Sequence, residues 1–121
     1  MLIIIGLAGS GKTTYFQQNL SNKYELFDDF ISNFFDGEII EKINEEICLI
    51  DPRLCDFEIF KNVIIEIDKY IDRSKIKLLL FENNHKGCIL NSRMRHKKNV
   101  EKMIEIYSKK YDLEEILKVY K

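Results

Sequence analysis

"GLAGSGKT", Gly6 to Thr13, follows the apolar start "MLIII" and has the spacing G-x-x-x-x-G-K-[ST]. Each residue type in it answers a need of phosphate binding. Gly6, Gly9 and Gly11 allow backbone with positive φ, so that successive N–H groups converge on phosphate oxygens. A helix beginning at Lys12 adds the partial positive charge of its N-terminus. The Lys12 ammonium can then reach the β- and γ-phosphates and the Thr13 hydroxyl can ligate Mg²⁺, with Ser10 and Thr14 completing the set of candidate phosphate contacts. A bare glycine-rich turn would account for neither Lys12 nor Thr13.

The rest of the chain sets what such a loop can serve. With 121 residues, 45% of them hydrophobic and 32% charged, the sequence fits one soluble domain, 1–121, able to bury a core without a disulfide or structural metal. Cys48, Cys55 and Cys88 are odd in number and lack the paired spacing of a zinc site, which suits a reducing cytoplasm. The apolar start is too short for a signal-peptide core or a membrane span and reads as a buried strand. A net charge of −1 excludes nucleic-acid binding by bulk charge. That sum hides an asymmetry: three lysines face nine acids up to Pro52, and sixteen basic residues face eleven acids from Arg53 onward.

Short apolar runs alternate with longer amphipathic stretches, the α/β pattern. Strands are predicted at Leu2–Ile5, Tyr24–Phe27, Ile47–Ile50 and Lys77–Phe81, apolar on both faces as parallel strands require. The first should lie at the sheet's centre between the third and fourth, with the second toward an edge. Helices are predicted over Lys12 to about Leu20, Glu38–Glu45, Phe57–Asp72 and about Asn99–Lys110, and the apolar residues of "YDLEEILKVYK" favour a last short helix packed on the sheet.

Ligands of open parallel sheets sit beyond the carboxyl ends of the strands. The polar residues placed there are Asp28 and Asp29, Asp51, and Glu82. Asp28 or Asp29 could cap the next helix, and Asp51 is a candidate Mg²⁺ ligand with Thr13. The basic run in "NSRMRHKK" follows the fourth strand, and Arg93, Arg95 and Lys97 are candidates to contact the triphosphate.

Among proteins that carry this loop, the P-loop, a GTPase would need an Asn-Lys-x-Asp guanine reader, and none is present. The remaining pattern resembles the P-loop kinases of the polynucleotide kinase type. The likeness rests on "FDDF" at Phe27–Phe30, on "CLIDPR" ending in the strand-end Asp51, and on "LLLFENNHKGCILNSRMRHKK" with its basic residues after the fourth strand. It implies a three-layer P-loop NTPase fold, with a small mainly parallel sheet of four to five strands and helices on both faces. It also implies ATP and Mg²⁺ as cofactors, Asp28 as base, and a lid drawn from Arg93, Arg95 and Lys97. The arginine that grips the acceptor phosphate in that family has no counterpart in "DDFISNFF".

The expected activity is transfer of the ATP γ-phosphate to a hydroxyl, on a polynucleotide 5′ end or a nucleoside-like acceptor. Lys12, Asp28 and Arg93 would be catalytic, Gly6, Gly9, Ser10, Gly11, Lys12, Thr13, Thr14, Arg93 and Lys97 would bind nucleotide, and Thr13 and Asp51 would hold the metal. The alternative is a regulatory nucleotide-binding protein that hydrolyses ATP slowly or not at all. In either case a protein partner could complete the acceptor site, and no membrane is involved.

Overall fold

A computed structural model describes residues 1–34, 42–94 and 100–120. Four strands, β1 (Leu2–Ile5), β2 (Glu25–Asp28), β3 (Ile47–Ile50) and β4 (Lys77–Leu80), form one sheet in the order β2-β3-β1-β4. All three pairings are parallel, with Ile3 opposite both Leu49 and Leu78, and Phe27 opposite Leu49. The apolar runs therefore end up as predicted, β1 between β3 and β4 and every residue of β1 and β3 buried. The edge strand β2 is shifted one residue later than expected. It also departs from burial on both faces: Leu26 and Phe27 are half-buried, while Glu25 and Asp28 are exposed.

The two-residue period of the strands sorts the core into two layers. Leu2, Ile4, Cys48 and Ile50 pack with Phe16 of α1 (Lys12–Asn19) on one face. Ile3, Ile5, Ile47 and Leu49 face the other way, into the larger cluster built with α3 (Phe57–Ile67), α4 (His85–Met94), α5 (Glu101–Lys110) and α6 (Leu113–Tyr120). Phe60, Val63, Ile64 and Ile67 of α3 are fully buried there, each worth roughly 1.5–3 kcal/mol of apolar transfer. The last short helix also packs, through Ile116. Cys48, Cys55 and Cys88 are free and buried, and burial pushes the first two thiols up to about 12.

Several element boundaries differ from expectation for local reasons. α3 ends at Ile67 rather than Asp72, because Asp72 turns its carboxylate onto the Ser74 N–H and Arg73 pairs with Asp68, which closes the chain into a tight turn. Ile71 keeps its place against the core although the helix has stopped. Of the predicted helix Glu38–Glu45, residues 38–41 lie outside the described residues. The remainder is not α-helical: Asn44 Oδ1 accepts from the Glu46 N–H at 2.7 Å and turns the chain into β3. The helix expected after the acid pair, for which the sequence suggested no bounds, is the four-residue α2 (Ile31–Phe34), with Phe30 and Phe34 packed edge to face at 5.5 Å.

Tyr111 ties the carboxyl ends of β1 and β4 together. Its hydroxyl donates to the Phe81 carbonyl and lies 3.3 Å from the Ile5 carbonyl, next to a bridge pairing Tyr111 with Asp56. Tyr111→Phe is expected to cost about 1–2 kcal/mol in urea unfolding, because the partly buried Phe81 carbonyl loses this donor while the ring still fills its place.

Candidate functional site

A cleft of about 460 Å³ opens beyond the carboxyl ends of β1, β2 and β3, within the range of small-molecule sites. Its floor is the β1–α1 loop, with Gly9, Gly11, Lys12, Thr13 and Thr14. Asp28 and Asp29 form one wall, and Pro52, Ser92, Val100 and Met103 close the others. The chain passes from β1 through α1 on one face of the sheet and from β3 through α3 on the other. The crevice therefore lies where crossovers depart to opposite faces, the usual ligand position in such sheets.

The loop has the backbone that its glycines permit. Gly9 and Gly11 have φ of +79° and +94°. A Cβ on Gly9 would also stand 2.6 Å from the Cys88 carbonyl oxygen, and Asn91 Nδ2 of α4 donates to the Gly9 carbonyl at 3.0 Å. α4 thus presses on the loop and holds it. Gly11 occupies the N-cap of α1 and, having no side chain, makes no cap bond to that helix. Lys12 is 6% exposed and donates from Nζ to the Leu7 carbonyl at 2.7 Å. Burial holds its ammonium below the ordinary lysine value, against the opposing pull of Cys55, Asp28 and other neighbours. Ser10 Oγ, in the same loop, is a buried polar atom with no hydrogen-bond partner among the described residues.

Opposite the loop, both acids of the pair line the cleft. Asp29 has φ of +50°, a left-handed backbone at a residue other than glycine, and its N–H bonds the Ile50 carbonyl at 2.8 Å and Asp28 Oδ1 at 2.9 Å. Burial, then the neighbouring Asp28 charge, raises the Asp29 carboxyl above the ordinary value. The expected cap on the next helix comes from elsewhere: the Ile31 N–H bonds Asp51 Oδ2 at 3.1 Å, not Asp29.

Asp51, expected as a metal ligand, is fully buried and its carboxylate is occupied by protein. Oδ1 accepts from the Arg53 backbone N–H and Nε, both at 2.9 Å, and Oδ2 accepts from Arg53 Nη2 at 2.7 Å and from the Ile31 N–H. Arg53 was not singled out by the sequence reading. Its signal was local, an Asp-Pro-Arg turn in which Asp51 caps a 3₁₀ turn over Pro52–Cys55, but nothing in the spacing says that the guanidinium would also reach Ser32 Oγ at 3.0 Å.

Arg93, expected over the triphosphate, is exposed on α4 and pairs with Glu101 at 2.7 Å, and it does not line the cleft. Arg95 and Lys97 lie outside the described residues. Glu82 is exposed in a separate hollow on the far side of the loop, with Phe81, Asn84 and Leu90. Among the described residues, Lys12 is the one cation lining the main cleft, no three His, Cys, Asp or Glu side chains gather as a metal cluster, and no helix is long and apolar enough to cross a membrane.

The uncharacterized protein R277 of Acanthamoeba polyphaga mimivirus is 34% identical to this chain over 119 residues, spanning 93% of the chain and 86% of the viral protein. No family model matches the chain, and no solved structure is a significant match.

Proposed function

The chain belongs to the family of the mimivirus protein R277, and we propose that it transfers the γ-phosphate of ATP to a hydroxyl acceptor in the cleft between the Gly6–Thr13 loop and the Asp28–Asp29 pair. The single observation that carries this reading is the juxtaposition itself. A buried lysine, a glycine loop with two positive-φ turns and the start of α1 form one side, and two carboxylates at the end of β2 form the other.

The loop amides and Lys12 bind the phosphates and neutralise charge on the transferring group. Asp28 accepts the proton of the acceptor hydroxyl as its oxygen bonds to the γ-phosphorus. The bond from that phosphorus to the bridging oxygen breaks in line, and ADP leaves with the bonding pair. Mg²⁺ would neutralise phosphate charge, and the Thr13 hydroxyl would be its hard oxygen donor on the loop, since the carboxylate of Asp51 is committed to Arg53.

Incubation with γ-labelled ATP and a panel of 5′-hydroxyl oligonucleotides, nucleosides and small sugars tests the reading, the expected result being label on an acceptor. Label released only as inorganic phosphate would favour the second reading, a nucleotide-binding regulatory protein. One observation leans toward that reading: Arg93 turns to Glu101 instead of the cleft.

A further inference from the structure

The turn that carries the acid pair is an improbable piece of backbone. Asp29 is left-handed without being glycine, and the helix after it is four residues long, too short to hold itself. What holds the turn comes from β3. Past the last paired residues, Asp28 and Ile50, the Asp29 N–H continues the ladder to the Ile50 carbonyl at 2.8 Å. Two residues further on, the Ile31 N–H reaches Asp51 Oδ2 at 3.1 Å. Asp51 is itself fixed by the fork of Arg53, whose Nη2 also donates to Ser32 Oγ at 3.0 Å, so the guanidinium spans from the end of β3 to the same short helix. Every hydrogen bond of this carboxylate goes to Arg53 or to that turn, and neither Asp51 nor Arg53 lines the cleft.

We infer that Asp51 and Arg53 form a strut that positions the acid pair, holding the Asp28–Ile31 turn so that its carboxylates face the glycine loop. They are positioning residues. They act on transfer through Asp28 and leave the binding of phosphates to the loop. The kinetic part of this inference rests on the function proposed above, whereas the structural part does not.

Arg53→Lys separates the two parts, because it keeps the charge and loses the planar fork. Amide hydrogen exchange should speed up at Asp29 and Ile31 by about tenfold or more while the amides of β1 stay protected. Inorganic tripolyphosphate with Mg²⁺ should raise the melting temperature of the variant and of the unaltered protein by the same amount. In transfer assays kcat should fall by roughly 10–100-fold with KM for ATP little changed, the scale of a misplaced catalytic group. Asp51→Asn, which keeps the shape but weakens the ion pair, should loosen the same two amides. Unchanged exchange at Asp29 and Ile31 in both variants would overturn the strut. So would an Asp51→Asn protein that has lost the Mg²⁺ requirement of nucleotide binding with the turn intact, which would make Asp51 a metal ligand. If the unaltered protein labels no acceptor, the proposed activity falls, and the exchange measurement still decides the strut.

Discussion

Lys12→Ala is expected to remove most of the stabilisation that Mg-ATP confers on this protein. At about 100 times Kd a ligand that binds only the folded state contributes roughly 2.7 kcal/mol, on the order of 10 °C in melting temperature for a domain of this size. Lys12 should carry most of that response because it is the one cation lining the cleft among the described residues, and its ammonium is already withdrawn from water. The unliganded protein should not suffer from the loss. The Lys12 ammonium donates to the Leu7 carbonyl, and burial depresses its pKa, so the charge costs stability in the apo state.

The sign of that cost can be followed with pH. Since the folded value lies below the ordinary 10.5, the unfolded chain binds more protons between the two values, and stability rises with pH across that window. The apo stability gained by Lys12→Met, which keeps the chain's bulk, should therefore be largest near neutral pH and shrink as the pH approaches 10.5, in urea titrations run in parallel on both proteins. An ATP-induced shift of normal size in Lys12→Ala would remove lysine from the phosphate site. A collapse of the apo protein would mean that the bond to Leu7 holds the loop together.

Asp28→Asn has the second large expected effect, and it separates a kinase from a binding protein. The Asp28 carboxylate is exposed and in the cleft, and losing a general base lowers transfer by roughly 10²–10⁴-fold. ATP should still raise the melting temperature of the variant, and stability should hardly change, because the Asn side-chain oxygen can still accept the Asp29 N–H that Asp28 Oδ1 accepts at 2.9 Å. The substitution also removes the neighbouring charge that helps to raise the Asp29 carboxyl. Its titration, followed by carboxyl ¹³C NMR, should move back toward the ordinary carboxylate range, although burial, the larger cause, remains. Normal transfer by Asp28→Asn would pass the base role to Asp29. No transfer by any form of the protein, with ATP binding intact, would make it a regulatory nucleotide-binding protein.

The parts of this molecule legible in one dimension are those written in contiguous residues. Four apolar runs of four or five residues read as strands, and their all-parallel pairing with β1 inside follows from the alternation with helices. The glycines at 9 and 11 sit where the backbone turns positive, and the acids at the end of β2 fall in the cleft beside Lys12 and Thr13 because the end of a parallel strand emerges at the sheet's carboxyl edge. Helix ends were less legible where a single polar side chain decided them, as Asp72 and Asn44 did by bonding nearby backbone amides.

The tertiary structure decided the fate of charged side chains, since a long side chain can choose among partners that sequence distance conceals. Asp51 was read as facing a metal, and it is sealed by Arg53, only two residues away. Arg93 was read as facing phosphates, and it meets Glu101 of the next helix. Arg53, just past β3, reaches Ser32 twenty-one residues back, because parallel pairing of β2 with β3 places both strand ends side by side. Backbone burial and turn chemistry are local and so can be read along the chain, whereas the pairing of buried charges depends on which strand ends the sheet brings together.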